Sequence, residues 1–459
     1  MASFSLKYLR SHLSGITLSG LILYIVFFTM KMERWNTRII DYDVVHYYGY
    51  LPATFIYHDP GARFTDQDPK YFGNKIWYNT TPGGNRVYKV SMGMSICYLP
   101  FFLGAHAFAL VTGSEYSGFS KPYKVALIIS CLVFVITGLY YLRKLLRLWF
   151  SEITVSLVLI LLVLATNLFN YITYDSPMSH AYSFSIITCF LWHTVQWHRR
   201  PAAWRAFVIG LLLGWIFLIR PVNVMAAGIF AGWGVYGPGS AGDKARLLLS
   251  RWKDILLLAT GALIFCIPQL IYWKYYSGSW MFYSYVGEHF FFSHPKIPEG
   301  LFSWRKGWLL YTPVMILAFA GLFFTRKVAE VRLVYPVSLA LILYVTFSWW
   351  CWWYGGGMGQ RPLIDWYGWM AIPVACVVEA SRKHRAALGA VTAFIIFCCW
   401  LNLLQHAQYR NSSLHNDSMT REAYFYRFGS VNKHPGVGRF LHSPDYEKAR
   451  AGEREYFWE

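Results

Sequence analysis

A chain of 459 residues that is 56% hydrophobic, 19% aromatic and only 14% charged has too little charge for a soluble domain, in which about a quarter of residues are charged. Its net charge of +19 does not mark a nucleic-acid surface. The Lys and Arg residues gather in short loops between apolar runs, the positive-inside pattern of a polytopic membrane protein, with some added attraction to anionic headgroups. The partners expected from composition are therefore membrane lipid and no nucleic acid.

The first apolar run, residues 13–30, follows Lys7 and Arg10 and precedes Lys31, Glu33, Arg34 and Trp35. No small-residue cleavage site follows it, so it reads as an uncleaved span with a cytoplasmic N-terminus. Residues 92–111 form the run on which the rest depends. If it spans, every later basic loop falls outside; if it lies on the outer surface, every later basic loop falls inside. Pro100, Gly104 and His106 interrupt it, and the charge rule favours the surface placement.

On that placement the spans are residues 13–30, 123–142, 153–170, 180–197, 204–219, 221–236, 254–273, 308–325, 333–350, 366–380 and 387–405, about eleven helices with ends good to ±2–4 residues. The inner loops then carry Arg143, Lys144 and Arg147; Arg199, Arg200 and Arg205; Lys244, Arg246, Arg251 and Lys253; Arg326, Lys327 and Arg332; and Arg382, Lys383 and Arg385. Only Glu152, Asp243, Asp254, Glu330 and Glu379 among the 23 acids join them. The predicted fold class is thus an all-α polytopic membrane protein, with a transmembrane domain over 1–405. Its large first outer loop, 31–122, carries surface helices, and a second outer loop covers 274–307. A polar outer tail, 406–459, places the C-terminus outside. The expected location is a bacterial inner membrane.

None of the eight cysteines forms a CxxC pair, so neither a zinc site nor a disulfide framework is expected. Gly210 and Gly214 have helix-packing spacing. The sequons at Asn79, Asn411 and Asn416 all fall on the predicted outside.

The chemistry-bearing residues fall on the same side. Asp41, Asp43, His46 and Tyr47 follow the first span within a few residues. Two carboxylates and an imidazole in an Ile-, Val- and Tyr-rich setting suit a general base and a cation ligand; the alternative is a helix cap at Asp41 or Asp43. Asp175 and His180 sit in a connection between two spans, as acceptor or metal ligands or as a capping turn. Arg220 precedes Pro221 with no loop between the apolar runs, suiting either a phosphate partner or a snorkelling side chain. The stretch 349–365 places four glycines before Gln360, Arg361 and Asp365. Glycines let backbone approach a ligand closely, and a guanidinium at a span's end needs a partner, a phosphate or Asp365. Glu288, His289, Arg305 and Lys306 read as solvated loop charge.

In the order of these features the chain resembles the GT-C superfamily of membrane glycosyltransferases, in the branch of dolichyl-phosphate-mannose-protein mannosyltransferases and aminoarabinose transferases. Asp43 with Tyr47 matches the family's acidic motif after the first span; Val44 stands where Glu is common, and Asp41 offers the second acid. Lys89 to Gly113 resembles the family's surface helix but lacks its Lys-Pro-Pro. Arg361 matches a late Arg-Tyr, with Pro362 in the Tyr position. The resemblance implies inverting transfer of a sugar from a polyprenyl-phosphate donor to an acceptor glycan, lipid or protein. It implies Asp43 as base with Asp41 beside it, and Arg361, Arg220 and Lys89 on the donor phosphate. His46, Tyr47, Asp175, His180, Gln360 and Asp365 would bind substrate. Some members of the family use a divalent cation; the sequence assigns no cofactor and no metal ligand. The alternatives are a polysaccharide polymerase or ligase, whose large catalytic loop comes later in the chain, and a transporter or flippase. A transporter would carry mid-span charges or inverted repeats, and the sequence shows neither.

Overall fold

The structure, a computed structural model, describes residues 2–453 except 74 and 77. The predicted tail beyond 453 and the side chains of Lys7, Arg10 and Arg326 lie outside the described residues. Among the described residues the molecule is mostly helical, with one antiparallel hairpin pairing Asn79–Thr80 with Arg86–Val87. Among the described residues six helices are long and apolar enough to cross a membrane: Ser11–Asn36, Gly93–Thr112, Lys121–Leu146, Trp252–Ser277, Arg361–Ser381 and Arg385–Arg410. The chain is an integral membrane protein. Ser179–Arg199 is as long but richer in polar residues, and it lies almost wholly buried.

Several predicted spans differ in detail. Residues 308–325 form a run of short turns, Trp308–Tyr311, Pro313–Met315, Ile316–Ala320 and Gly321–Phe323. Pro313 removes a helical N–H donor, and Gly321 lies so close to Pro373 that a Cβ would sit 2.4 Å from it. Residues 221–236 likewise become a 3-10 turn, Pro221–Met225, and a short helix, Ala226–Gly232. The helix predicted over 153–170 stops at Leu164, whose carbonyl accepts from Asn402 Nδ2 at 2.9 Å. Beyond it Asn167 donates to the Met358 carbonyl at 3.2 Å and accepts from the Tyr367 hydroxyl at 2.7 Å. Irregular backbone inside a bundle persists only where such side chains satisfy its polar groups.

Helices Ala203–Ile219 and Trp252–Ser277 approach at their glycines. A Cβ on Gly210 would lie 2.0 Å from the Leu258 carbonyl oxygen, one on Gly214 2.6 Å from Ala262 O, and one on Gly261 2.6 Å from Phe207 O. Gly210→Ala therefore forces two backbones apart and is expected to destabilise by about 1–3 kcal/mol. Gly389→Ala, where nothing lies within 4 Å, serves as the control. Unfolding of both variants in detergent checks this, and equal stability would refute close glycine packing.

The two ends of the bundle differ in character. At one end the five basic loops meet. Arg143 Nε donates to Ser14 Oγ at 2.8 Å, and Arg147 pairs with Glu152 at 2.6 Å. Arg382 and Lys327 converge on Glu379, Arg199 stacks on Trp149, and Lys244 reaches His198. At the other end lie the described residues of 33–92, together with 170–180 and 348–365. Helix Gly93–Thr112 belongs wholly to that second end. Its first turn meets Tyr47 through Ser95, and Ser91 just before it meets Leu218. The chain that leaves it at Gly118 meets Tyr48 and Pro52. Its middle rests on Tyr123, in the first turn of Lys121–Leu146, through Phe102 and His106. Its apolarity matches a span, but both of its ends return to one side.

Candidate active site

Asp43 opens the short helix Asp43–Tyr48, just after Tyr42, whose φ of +48° is strained for a non-glycine residue. The sequence alternative of a cap is not realised for Asp43, whose side chain makes an ion pair instead. Its Oδ2 lies 2.8 Å from Arg361 Nη1. Burial pushes the Asp43 carboxyl up, but Arg361, then His46 and His180, outweigh it and hold the group below the usual carboxylate range. The His46 ring is pushed down to about 4, chiefly by burial, so it is neutral at physiological pH. Tyr47 is buried, its hydroxyl 3.3 Å from Ser179 Oγ.

Arg361 starts the 3-10 turn Arg361–Trp366, which leads into the buried helix Tyr367–Ser381. The glycines before it wind the loop tightly. At Gly357, φ is +152° and a Cβ would lie 2.6 Å from the Tyr171 hydroxyl. That hydroxyl in turn accepts from Met358 N at 3.1 Å. The guanidinium is 13% exposed, and its buried Nε–H has no hydrogen-bond partner among the described residues. The expected alternative, an Arg361–Asp365 pair, does not form. Asp365 is fully buried one turn on and holds three other groups. His180 Nδ1 lies 3.0 Å from its Oδ1, Asn223 Nδ2 donates to its Oδ2 at 2.7 Å, and Arg220 Nη1 stands 3.6 Å from Oδ2. Asp365 is thus engaged with protein groups from His180 and from the Arg220–Asn223 turn. Arg220 also lies 3.2 Å from His180 Nδ1 and 5.5 Å from the centre of the Tyr354 ring.

Lys306 was not among the expected site residues, yet it is 1% exposed. Its Nζ donates to the Gly355 carbonyl, and burial, reinforced by Arg361, pushes it down to about 7. The only signal in the sequence was an Arg-Lys pair set among Trp304, Gly307 and Trp308. The tail completes the surroundings: the Asn416 carbonyl accepts from Gly357 N at 3.2 Å, and the Asp417 carbonyl accepts from Arg305 Nη1 at 2.9 Å.

The remaining expected residues lie around this centre in other roles. Lys89 pairs with Glu288, whose second oxygen accepts from Trp350 Nε1 at 3.2 Å. Asp41 is held by Arg38 at 2.9 Å and does not join Asp43. Asp175 accepts from Asn170 at 2.8 Å in a separate polar node with His406, and burial raises its carboxyl. Gln360 is buried, donating to the Trp352 carbonyl at 3.3 Å. Among the described residues no group of three or more His, Cys, Asp or Glu converges as a cation site. Asp41 and Asp43 are each neutralised by an arginine, so this pair does not fit a metal ion.

No protein-family profile matches the chain, and no curated protein does. Among solved structures, the crystal structure of the Archaeoglobus fulgidus oligosaccharyltransferase in its apo form matches with a TM-score of 0.50 and 12% sequence identity, over 98% of this chain and 62% of that one. The chain spans less than two thirds of that protein's length. At this identity the likeness is one of fold alone: the chain shares its overall fold with that oligosaccharyltransferase.

Proposed function

We propose that the protein is a membrane glycosyltransferase that moves a sugar from a polyprenyl-phosphate donor to an acceptor hydroxyl, with inversion, at the extracytoplasmic face. The observation that carries this reading is the Asp43–Arg361 pair, set among Arg220 and Lys306 at the bundle end opposite the basic loops. A carboxylate and three cations in one partly buried centre are what a reaction needs when a hydroxyl loses its proton while a phosphate gains charge. The positive-inside rule puts the basic end in the cytoplasm, and helix Gly93–Thr112, with both ends on the other side, agrees with that orientation.

In this mechanism the donor phosphate enters beside Arg361 and satisfies its unpartnered Nε–H, drawing the guanidinium from Asp43. The freed carboxylate takes the proton of the acceptor hydroxyl. The hydroxyl oxygen bonds to the anomeric carbon from the face opposite the phosphate, and the bond from that carbon to the phosphate oxygen breaks. Arg361, Arg220 and Lys306 stabilise the departing polyprenyl phosphate, which carries one more negative charge than the donor. The transferred proton then leaves Asp43 for solvent or phosphate. Arg suits this role through its planar fork of donors. Lys89, committed to Glu288, braces the second outer loop against the first.

The reading is tested with full-length protein in nanodiscs, a labelled polyprenyl-phosphate sugar and a panel of hydroxyl acceptors. Product with inverted anomeric configuration is expected. Absence of transfer and of polyprenyl-phosphate binding would end the proposal.

Lys306 adds a pH signature. Held near 7 in the empty site, it is charged below that pH and neutral above it. Polyprenyl-phosphate affinity is therefore expected to fall as pH rises through about 7, with proton uptake on binding above it. Lys306→Met should weaken binding at pH 6 roughly tenfold or more, the worth of a charged hydrogen bond, and flatten the pH dependence. An unchanged slope in the variant would exclude Lys306 from the phosphate site.

A further inference from the structure

A separate cleft of about 740 Å³ opens at the same end of the molecule, within the ~300–1,000 Å³ range of ligand sites. Arg38, Lys70, Lys75 and Lys124 line it, brought together from three separate stretches of the chain. Two acids share the lining but are engaged locally. Asp68 caps the turn Pro69–Phe72 by accepting from Tyr71 N at 2.9 Å, and Glu115 accepts from Ser117 Oγ at 2.5 Å. Among the described residues Lys70, Lys75 and Lys124 make no ion pair, and Lys75 instead sits 2.8 Å from the centre of the Tyr71 ring. Tyr71 and Phe119 supply aromatic wall, and Ile40 closes the floor. That floor belongs to the segment that carries the proposed base: Arg38 is paired to Asp41 at 2.9 Å, and Asp43 follows two residues later.

The geometry points to this cleft as the docking site of the acceptor, and to an anionic saccharide as its chemistry. Its use as an acceptor site rests on the transferase reading above. Three lysines set against the carboxylates of Asp68 and Glu115, with Arg38 paired to Asp41, leave the concave wall net positive, and such a field concentrates anions and orients them. The aromatic surface contributes apolar contact to the carbon faces of a sugar while the cations take its carboxylates or phosphates. The cleft is too rich in charge for an acyl chain. Arg38 and Ile40 of the cleft lie on the same short segment as Asp43, and that shared segment is the link this proposal makes between the docked saccharide and the reacting centre.

The test uses the full chain in zwitterionic nanodiscs, with tetragalacturonate as the anionic probe and maltotetraose as the neutral one. Wild-type protein is expected to bind the anionic probe roughly tenfold or more tightly, with a preference that shrinks at high salt. Lys75→Glu with Lys124→Glu should abolish the preference while leaving polyprenyl-phosphate binding intact, which also shows that the variant is folded. Arg361→Ala should do the reverse. Equal binding of the two probes, or a preference that survives the double charge reversal, overturns the inference. So does displacement of the anionic probe by phosphatidylglycerol in the nanodisc, which would assign the cleft to membrane lipid. If the anionic probe binds as expected but no glycan is ever glycosylated, the transferase reading fails and the cleft stands. If transfer occurs with no preference for anionic acceptors, the cleft fails and the transferase stands.

Discussion

Asp43→Asn is expected to lower transfer by about 10²–10⁴-fold, the usual worth of a positioned general base, while polyprenyl-phosphate binding is retained or tightened. The amide keeps the shape of the carboxylate and can still accept one hydrogen bond from Arg361, but it takes no proton from an acceptor. It also removes the anion that competes with phosphate for the guanidinium at 2.8 Å. A variant that inserts normally and turns over within a few-fold of wild type would eliminate Asp43 as the base. Arg361→Ala should be comparably severe but in a different way, losing donor binding together with turnover; Arg361→Lys should restore charge without restoring the fork. The pH profile separates the steps further. In the free enzyme Asp43 is held below the usual carboxylate range, so the acid limb of kcat/KM should lie low. Once a donor phosphate occupies Arg361, its negative charge and the loss of the guanidinium both favour the protonated carboxyl. The acid limb of kcat should therefore lie higher than that of kcat/KM. Coincident limbs would argue that the Asp43–Arg361 pair stays closed during catalysis.

The second large effect is on stability. Asp365 is fully buried against His180, Asn223 and Arg220, and Asp365→Ala leaves a partly buried guanidinium without its carboxylate. Removing one partner of a buried charge pair typically costs about 3–5 kcal/mol. The variant should lose thermal stability in detergent accordingly, and Asp365→Asn, which keeps an acceptor for Asn223, should lose less. Adding Arg220→Met to Asp365→Ala should recover part of the loss, because the stranded charge is gone. Additive losses in the double variant would mean that the two residues do not act as a pair.

Much of this architecture was legible in the residues. Hydropathy and loop charge locate most of the helices, because a bilayer imposes length and a membrane potential imposes sign. They do not locate the breaks near Pro313 and Pro221, where a span stops being a helix because the proline withholds a donor and neighbouring side chains take over the backbone. Asp43 and Arg361 stand out because a charge in an apolar setting demands a partner, yet nothing in their spacing says that they are each other's partner across some three hundred residues. Asp365 was visible as an acid near a span, but its partners come from two distant segments, one at His180 and one at Arg220 and Asn223. Lys306 was invisible for a more general reason. A lysine in a loop is solvated unless something covers it, and here the cover arrives from the glycine loop at Gly355 and from the later tail that holds that loop at Asn416.

That cover has a consequence for the birth of the protein. The carbonyls of Asn416 and Asp417 hold Gly357 and Arg305, and both belong to a segment translated after the last long helix, Arg385–Arg410. During synthesis every membrane helix can be threaded before the glycine loop has its final hydrogen bonds. On the transferase reading, a nascent chain therefore carries its arginine and its aspartate without a finished centre until residues 416 and 417 fold back onto the loop.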